Sequence, residues 1–269
     1  MNIAHVTPED NLSLCDSGNF DFCLAHIAIK NKDYKKFFVD RVLSGRELYL
    51  DNGVWETGYP LDKDLMIELA IEMGATYVYA PDYMGEKKKT LDAISEFGDI
   101  ASNTKGFNSK IIGVMQGKTR EEWFDCALKL AKLPDHICNT IAVNTLFIED
   151  MYEYEIEEGA RRSKTRVELL MMIDRQLDRF NNKRFYSTGF GAPIDAQELP
   201  KFKWLIGVDT AIACVMASND MIITPVNYTY FKPKGKVDKV QLTTDQVTFA
   251  KSNIRIINSF IRGGNPFEK

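Results

Sequence analysis

The sequence predicts an α/β fold, a (β/α)8 TIM-type barrel formed as a single domain over residues 1–269. Three observations point there. The chain of 269 residues has the length of one such unit. Short apolar runs rich in β-branched and aromatic residues alternate with longer segments of helical periodicity, the pattern of parallel strands joined by right-handed crossovers. Eight such runs occur, which favours a ring of strands over an open doubly wound sheet.

Taken in order, the expected strands are Asn2–Val6, Phe22–Ile29, Glu47–Asp51, Tyr77–Ala80, Lys110–Met115, Thr140–Val143, Arg184–Thr188 and Trp204–Val208. Between them, 61–73 carries Leu61, Leu65, Leu69 and Met73 at helical spacing, with Gly74 as its stop. Residues 119–133 open on Thr119-Arg-Glu-Glu122, a capping-box pattern, and end before Pro134. The longest periodic segment is 160–180. Its broad apolar stretch, Leu169 to Ile173, suits core packing or a homodimer interface. A last helix, 243–261, closes before Gly263-Gly264.

Composition removes several function classes. The formal net charge is −4, so a polyanion partner needs a local basic patch. Cys15, Cys23, Cys126, Cys138 and Cys214 form no CxxC pair, and His5, His26 and His136 are the only histidines. That excludes zinc-ligand spacing, and no metal or cofactor is expected. The cysteines read as reduced thiols in or near the core. No apolar run approaches membrane-spanning length and the N-terminus lacks a signal-peptide pattern, so a soluble cytoplasmic protein is expected.

The chemistry is expected where the strands end. Asp51-Asn52-Gly53, Asp82, Gln116-Gly117, Asn144-Thr145, Gly189 and Asp209-Thr210 each follow an apolar run. In a barrel these positions converge on the C-terminal rim, where active sites of the architecture lie. A single strand-end Asp is commonly a turn or helix cap; a series whose leading residues include three carboxylates and two amides suggests more. The expected strand ends carry no histidine, which disfavours a Ser-His-Asp relay, and no phosphate-binding glycine motif occurs. Two carboxylates in separate roles suit chemistry at an anomeric carbon. Carboxylates with amides also suit the hydrogen-bonding edge of a purine-like base.

At these residues the sequence resembles the tRNA-guanine transglycosylase superfamily, and within it the short DNA-guanine transglycosylase branch of phages and bacteria that inserts 7-deazaguanines into DNA. Asp51-Asn52-Gly53-Val54-Trp55-Glu56 stands where the family has D-S-G-G-[FY]-Q, and Asp82 resembles its base-recognition aspartate. Gly113 to Gly117 is similar to G-[IV]-V-Q-G, Gly189 to Pro193 to G-V-G-x-P, and Val208 to Ala213 to the nucleophile run F-D-S-A-x-Y-A. The motifs fall in family order over roughly 51–220. The resemblance implies Asp209 as the nucleophile at C1′ and Asp51 as the acid/base group. It implies Asp82 and Gln116 as readers of the base, with Gly117, Asn144, Thr145, Gly189, Asn52 and Trp55 lining the substrate site, and Trp55 or Tyr83 stacking on the base.

Two departures favour DNA over tRNA as partner: the family's zinc site after the barrel has no counterpart, and no RNA-binding domain is appended. Asn144-Thr145-Leu146 replaces a Gly-Gly-Leu, and Glu56 a glutamine, which leaves the incoming base open. Basic clusters at Lys87–Lys89, Arg161/Arg162/Lys164/Arg166 and Lys232/Lys234/Lys236/Lys239 suit phosphate contacts or solvated faces. The acidic run 149–158 reads as a solvent face or loop. Two other classes remain: a barrel enzyme on a small sugar, with Lys30 or Lys110 as a Schiff-base lysine, and a silent nucleobase binder.

Overall fold

In a computed structural model, residues 1–145, 158–190, 192–228 and 235–267 are described. Its strands are β1 (Asn2–His5), β2 (Asp21–Leu24), β3 (Leu48–Asp51), β4 (Tyr77–Tyr79), β5 (Lys110–Val114), β6 (Thr140–Val143), β7 (Arg184–Ser187) and β8 (Leu205–Thr210). They lie in one sheet in the order β1-β8-β7-β6-β5-β4-β3-β2. Pairing is parallel from β2 through β6 and between β1 and β8. This is the (β/α)8 TIM-type arrangement, and each strand falls within about three residues of its expected position except the second. The helices are α1 (Ala25–Ala28), α2 (Lys32–Leu43), α3 (Val54–Thr57), α4 (Lys63–Met73), α5 (Lys87–Asn103), α6 (Arg120–Lys132), α7 (Glu158–Asp174), α8 (Asp195–Glu198), α9 (Ile212–Ser218) and α10 (Thr244–Ile261).

By its contacts the chain divides into two compact units. One comprises Phe20–Ile148 and Gln176–Tyr186, with β2 to β6 and most of β7. Its strands are buried on both faces, as parallel strands flanked by helices must be. On one face Phe20, Tyr49, Tyr77 and Tyr186 pack ring to ring, with Tyr49 stacked on Tyr77 at 4.3 Å. Arg184 donates to the Tyr77 hydroxyl at 3.1 Å. Burial and the adjacent Tyr77 push the Tyr49 phenol far above its ordinary value. Because side chains alternate along a strand, Asp51 shares the face of Tyr49. Leu48 and Leu50 fill the opposite side, both fully buried.

Caps set the helix starts. The Asn31 side chain accepts from the Asp33 and Tyr34 amides, and that of Asp62 from Asp64 and Leu65. Thr119 accepts from Glu122 N–H, while the Glu122 carboxylate reaches Lys118 N–H, one residue earlier than a capping box requires. Gly117 is fixed by packing: a Cβ there would lie 2.5 Å from the Trp123 nitrogen, inside the first turn of α6.

The other unit comprises Met1–Asn19, Glu149–Arg175 and Ser187–Lys269. It holds β1 and β8 in register, Ala4 opposite Asp209 and His5 opposite Thr210. Here α10 has the complete Thr243/Gln246 capping box. Leu169, Leu170 and Ile173 of α7 are fully buried and belong to the core, whereas Met171 of the same stretch is exposed. The segment expected as one helix to residue 180 ends at Asp174, and a 3-10 turn covers Leu177–Phe180. All five cysteines are buried thiols. Among the described residues no helix is long and apolar enough to cross a membrane.

Candidate active site

In the Phe20–Ile148 unit, the C-terminal ends of β3, β4 and β5 bring three of the expected residues together. Asp82 is 2% exposed, and its Oδ1 accepts from Asn52 Nδ2 at 2.7 Å while its Oδ2 accepts from Gln116 Nε2 at 2.6 Å. The remaining partners fix both amides. Asn52 Nδ2 also donates to the Ala80 carbonyl, and its Oδ1 accepts from Val54 N–H. Gln116 Oε1 accepts from Gly85 N–H. Each amide therefore has one orientation that satisfies its neighbours. Asn52 has used both amide hydrogens, so it positions Asp82, whereas Gln116 Nε2 keeps one hydrogen to offer.

Among the described residues no cation is hydrogen-bonded to Asp82. Burial raises its carboxyl from 3.8 to about 6, against the opposing pull of the Asn52 and Gln116 hydrogen bonds. A buried carboxylate poised near neutrality at a strand end is the kind of group found at functional sites. Each of its oxygens retains an acceptor position for a ligand N–H.

Asp51, half-buried, accepts from Gly53 N–H at 2.8 Å through Oδ2, closing a tight turn into α3. Gly53 has φ +72°, and a Cβ on it would lie 2.8 Å from His26 Nδ1. None of the strand ends singled out in the sequence carries a histidine; this one comes from the segment after β2, which was expected to be strand. The apolar run Leu24 to Ile29 reads as continuous strand, but β2 stops at Leu24 and α1 begins, placing buried His26 against the turn that follows Asp51. A buried imidazole thus stands in this part of the unit. Trp55 is 47% exposed on α3. Tyr83 already carries the Lys89 ammonium 3.7 Å above its ring, so one face is taken.

On β6, Asn144 is half-buried and its carbonyl accepts from the Trp123 indole at 2.6 Å; Thr145 is buried. Leu146 and residues 149–157 of the acidic run lie outside the described residues, as do Gly191, Lys232 and Lys234.

In the other unit, Asp209 lies inside β8, one residue before its end, and is 8% exposed. Its Oδ2 accepts from Gly189 N–H at 3.2 Å. The Gly189 carbonyl in turn accepts from the Arg166 guanidinium, which lies 4.0 Å from the Asp195 carboxylate. Arg166, expected among phosphate-contacting residues, is 5% exposed and serves this internal relay instead. Nothing in its sequence context distinguishes it from its exposed neighbour Lys164.

The Lys87–Lys89 cluster is likewise engaged locally, Lys87 with Asp125 and Lys88 with Asp92. Lys30 and Lys110 are exposed and not set in an apolar pocket, where a Schiff-base lysine stands. Among the described residues no group of three His, Cys, Asp or Glu side chains is arranged to hold a metal ion. Compared with known protein families and with curated proteins, the sequence matches none of them.

Proposed function

We propose that the chain is a transglycosylase that exchanges guanine in DNA for a 7-deazaguanine base through a covalent aspartyl-sugar intermediate. The observation that carries the reading is the Asp82 cluster, a buried carboxylate oriented by two amides and raised to about 6. The Watson–Crick edge of guanine offers adjacent N–H donors and a carbonyl acceptor. Asp82 supplies acceptors for the first and Gln116 Nε2 a donor for the second. Base affinity then falls as pH drops through about 6, because a protonated Asp82 loses the charge that strengthens those bonds.

In the reaction, an Asp209 oxygen bonds to C1′ as the C1′–N9 bond breaks, and Asp51 gives its proton to the departing base. Asp51 then takes the N9 proton of the incoming base, whose N9 attacks C1′ and releases the Asp209 carboxylate. The Gly189 N–H holds Asp209 through Oδ2 and so orients the carboxylate. Trp55 and Tyr59 are exposed aromatic rings, the kind of side chain that stacks on bases of a nucleic acid.

Denaturing electrophoresis of the protein with guanine-bearing DNA, in parallel with tRNA, tests this reading. A denaturant-resistant adduct with DNA, absent in Asp209→Asn, and uptake of labelled 7-deazaguanine are the expected results. An adduct with tRNA alone moves the substrate to tRNA. Abasic product without uptake marks an N-glycosidase, and neither adduct nor uptake on any polymer removes the proposal.

A further inference from the structure

The unit that contains β1 and β8 has a concave feature formed by the last turns of α10 and the end of the 3-10 helix Glu9–Ser17. This cleft of about 590 Å³ is lined by Ser17, Arg255, Asn258, Ser259, Arg262 and Gly264. Arg255 and Arg262 are seven residues apart, two helical turns, so both leave the same side of α10 about 10 Å apart along its axis. Among the described residues neither guanidinium has a hydrogen bond or ion pair. Many other cations of this acidic chain are paired, among them Arg41, Arg46, Lys63, Lys87 and Lys118. The C-terminal helix dipole accounts for a cation at position 262, but not for one at 255.

Among the described residues no carboxylate lines the cleft. Its wall is fixed from behind: Asn258 Oδ1 is 3.0 Å from His5 Nε2, and Asn258 Nδ2 donates to the Ser17 carbonyl at 3.0 Å. Among the described residues the Ser259 hydroxyl makes no hydrogen bond to protein, and it is half-buried at the cleft. Two guanidinium forks and a hydroxyl exceed what one carboxylate accepts, but match the several oxygens of a phosphoryl group. The volume is far larger than one phosphate and falls in the range of ligand pockets.

We propose that this cleft binds a phosphoryl group, held between Arg255 and Arg262 with the Ser259 hydroxyl. Inorganic phosphate and a nucleic-acid backbone share that chemistry. The test titrates inorganic phosphate, and separately a ten-nucleotide single-stranded DNA, into wild type and Arg255→Gln/Arg262→Gln. Backbone amide shifts of Ser17, Ser259 and Gly264 serve as the local readout. Both arginines are exposed, so an unchanged melting temperature is the expected control.

Saturable phosphate-induced shifts at these amides, weakened at least tenfold in the double variant, are expected. If the cleft takes a DNA backbone, the oligonucleotide binds more tightly than phosphate. The slope of log affinity against log salt then falls by about 1.4 in the double variant. Phosphate binding without that change of slope assigns the cleft to a free phosphorylated ligand. Shifts that are absent, or equal in wild type and double variant with both probes, overturn the proposal. The phosphate titration involves no guanine chemistry, so its outcome is independent of the exchange reaction.

Discussion

Asp82 costs the fold stability in its ionised state. Its carboxyl stands about two pKa units above the ordinary 3.8, which corresponds to roughly 3 kcal/mol of destabilisation at neutral pH. Asp82→Asn removes the charge but turns an NH₂ towards one of the two amide donors, at a cost of about 1 kcal/mol. The variant is therefore expected to unfold at higher denaturant at pH 7, by about 1–2 kcal/mol, while losing base binding. A loss of stability in urea titration would show that Asp82 is held for structural reasons. Arg166 makes the opposite case. Arg166→Met removes the guanidinium from both Gly189 and the buried Asp195, with an expected cost of about 3 kcal/mol. Under the proposed reaction it slows adduct formation ten- to a hundredfold with little change in KM, because Gly189 no longer orients Asp209. Arg166→Lys recovers most of the stability but less of the rate; equal recovery of both would reduce Arg166 to a packing role.

At the scale of elements, the turn from β3 into α3 is the most constrained feature near the candidate site. Gly53→Ala must hold φ +72° with a side chain and place its Cβ 2.8 Å from His26 Nδ1. A loss of about 2–3 kcal/mol is expected from the backbone and the displaced imidazole together, measured by urea unfolding. A cost below about 0.5 kcal/mol would mean that the turn relaxes freely and does not fix Asp51. The same region shows how far the sequence could be read. Strands β3 to β6 were legible because each is a short β-branched or aromatic run bounded by polar residues. The strand ends of Asp51, Asp82 and Gln116 followed directly. At β2 the run from Leu24 to Ala28 is buried in both strand and helix, and periodicity cannot separate the two when both faces are covered. That ambiguity hid His26. Helices α2 and α5 escaped explicit notice, although Asn31 caps the first and a strong apolar stripe runs along the second. Arg166 was illegible for another reason: the guanidinium reaches across to residue 189, and no local pattern encodes that contact.

For the molecule as a whole, two buried groups give acid stability opposite signs. His5 is desolvated and its imidazole is lowered from 6.5 to about 4. The unfolded chain therefore binds more protons between those values, and stability falls by about 3 kcal/mol as pH drops through that window. Asp82 is raised to about 6 from 3.8, so the folded chain binds more protons there, and stability rises by about 3 kcal/mol over nearly the same interval. The two effects nearly cancel between pH 6 and 4, and substitution separates them. His5→Gln keeps an N–H towards Asn258 Oδ1 but does not titrate. Relative to wild type it should gain about 3 kcal/mol on acidification from pH 7 to 4, whereas Asp82→Asn should lose about as much. Urea midpoints at constant m-value, taken as differences from wild type at each pH, cancel the carboxylates common to all three proteins. Difference curves that diverge in opposite directions establish both linkages. Curves that stay flat or move together would mean that neither group keeps its buried environment in solution, and the case for Asp82 as the reader of a base edge would fall with them.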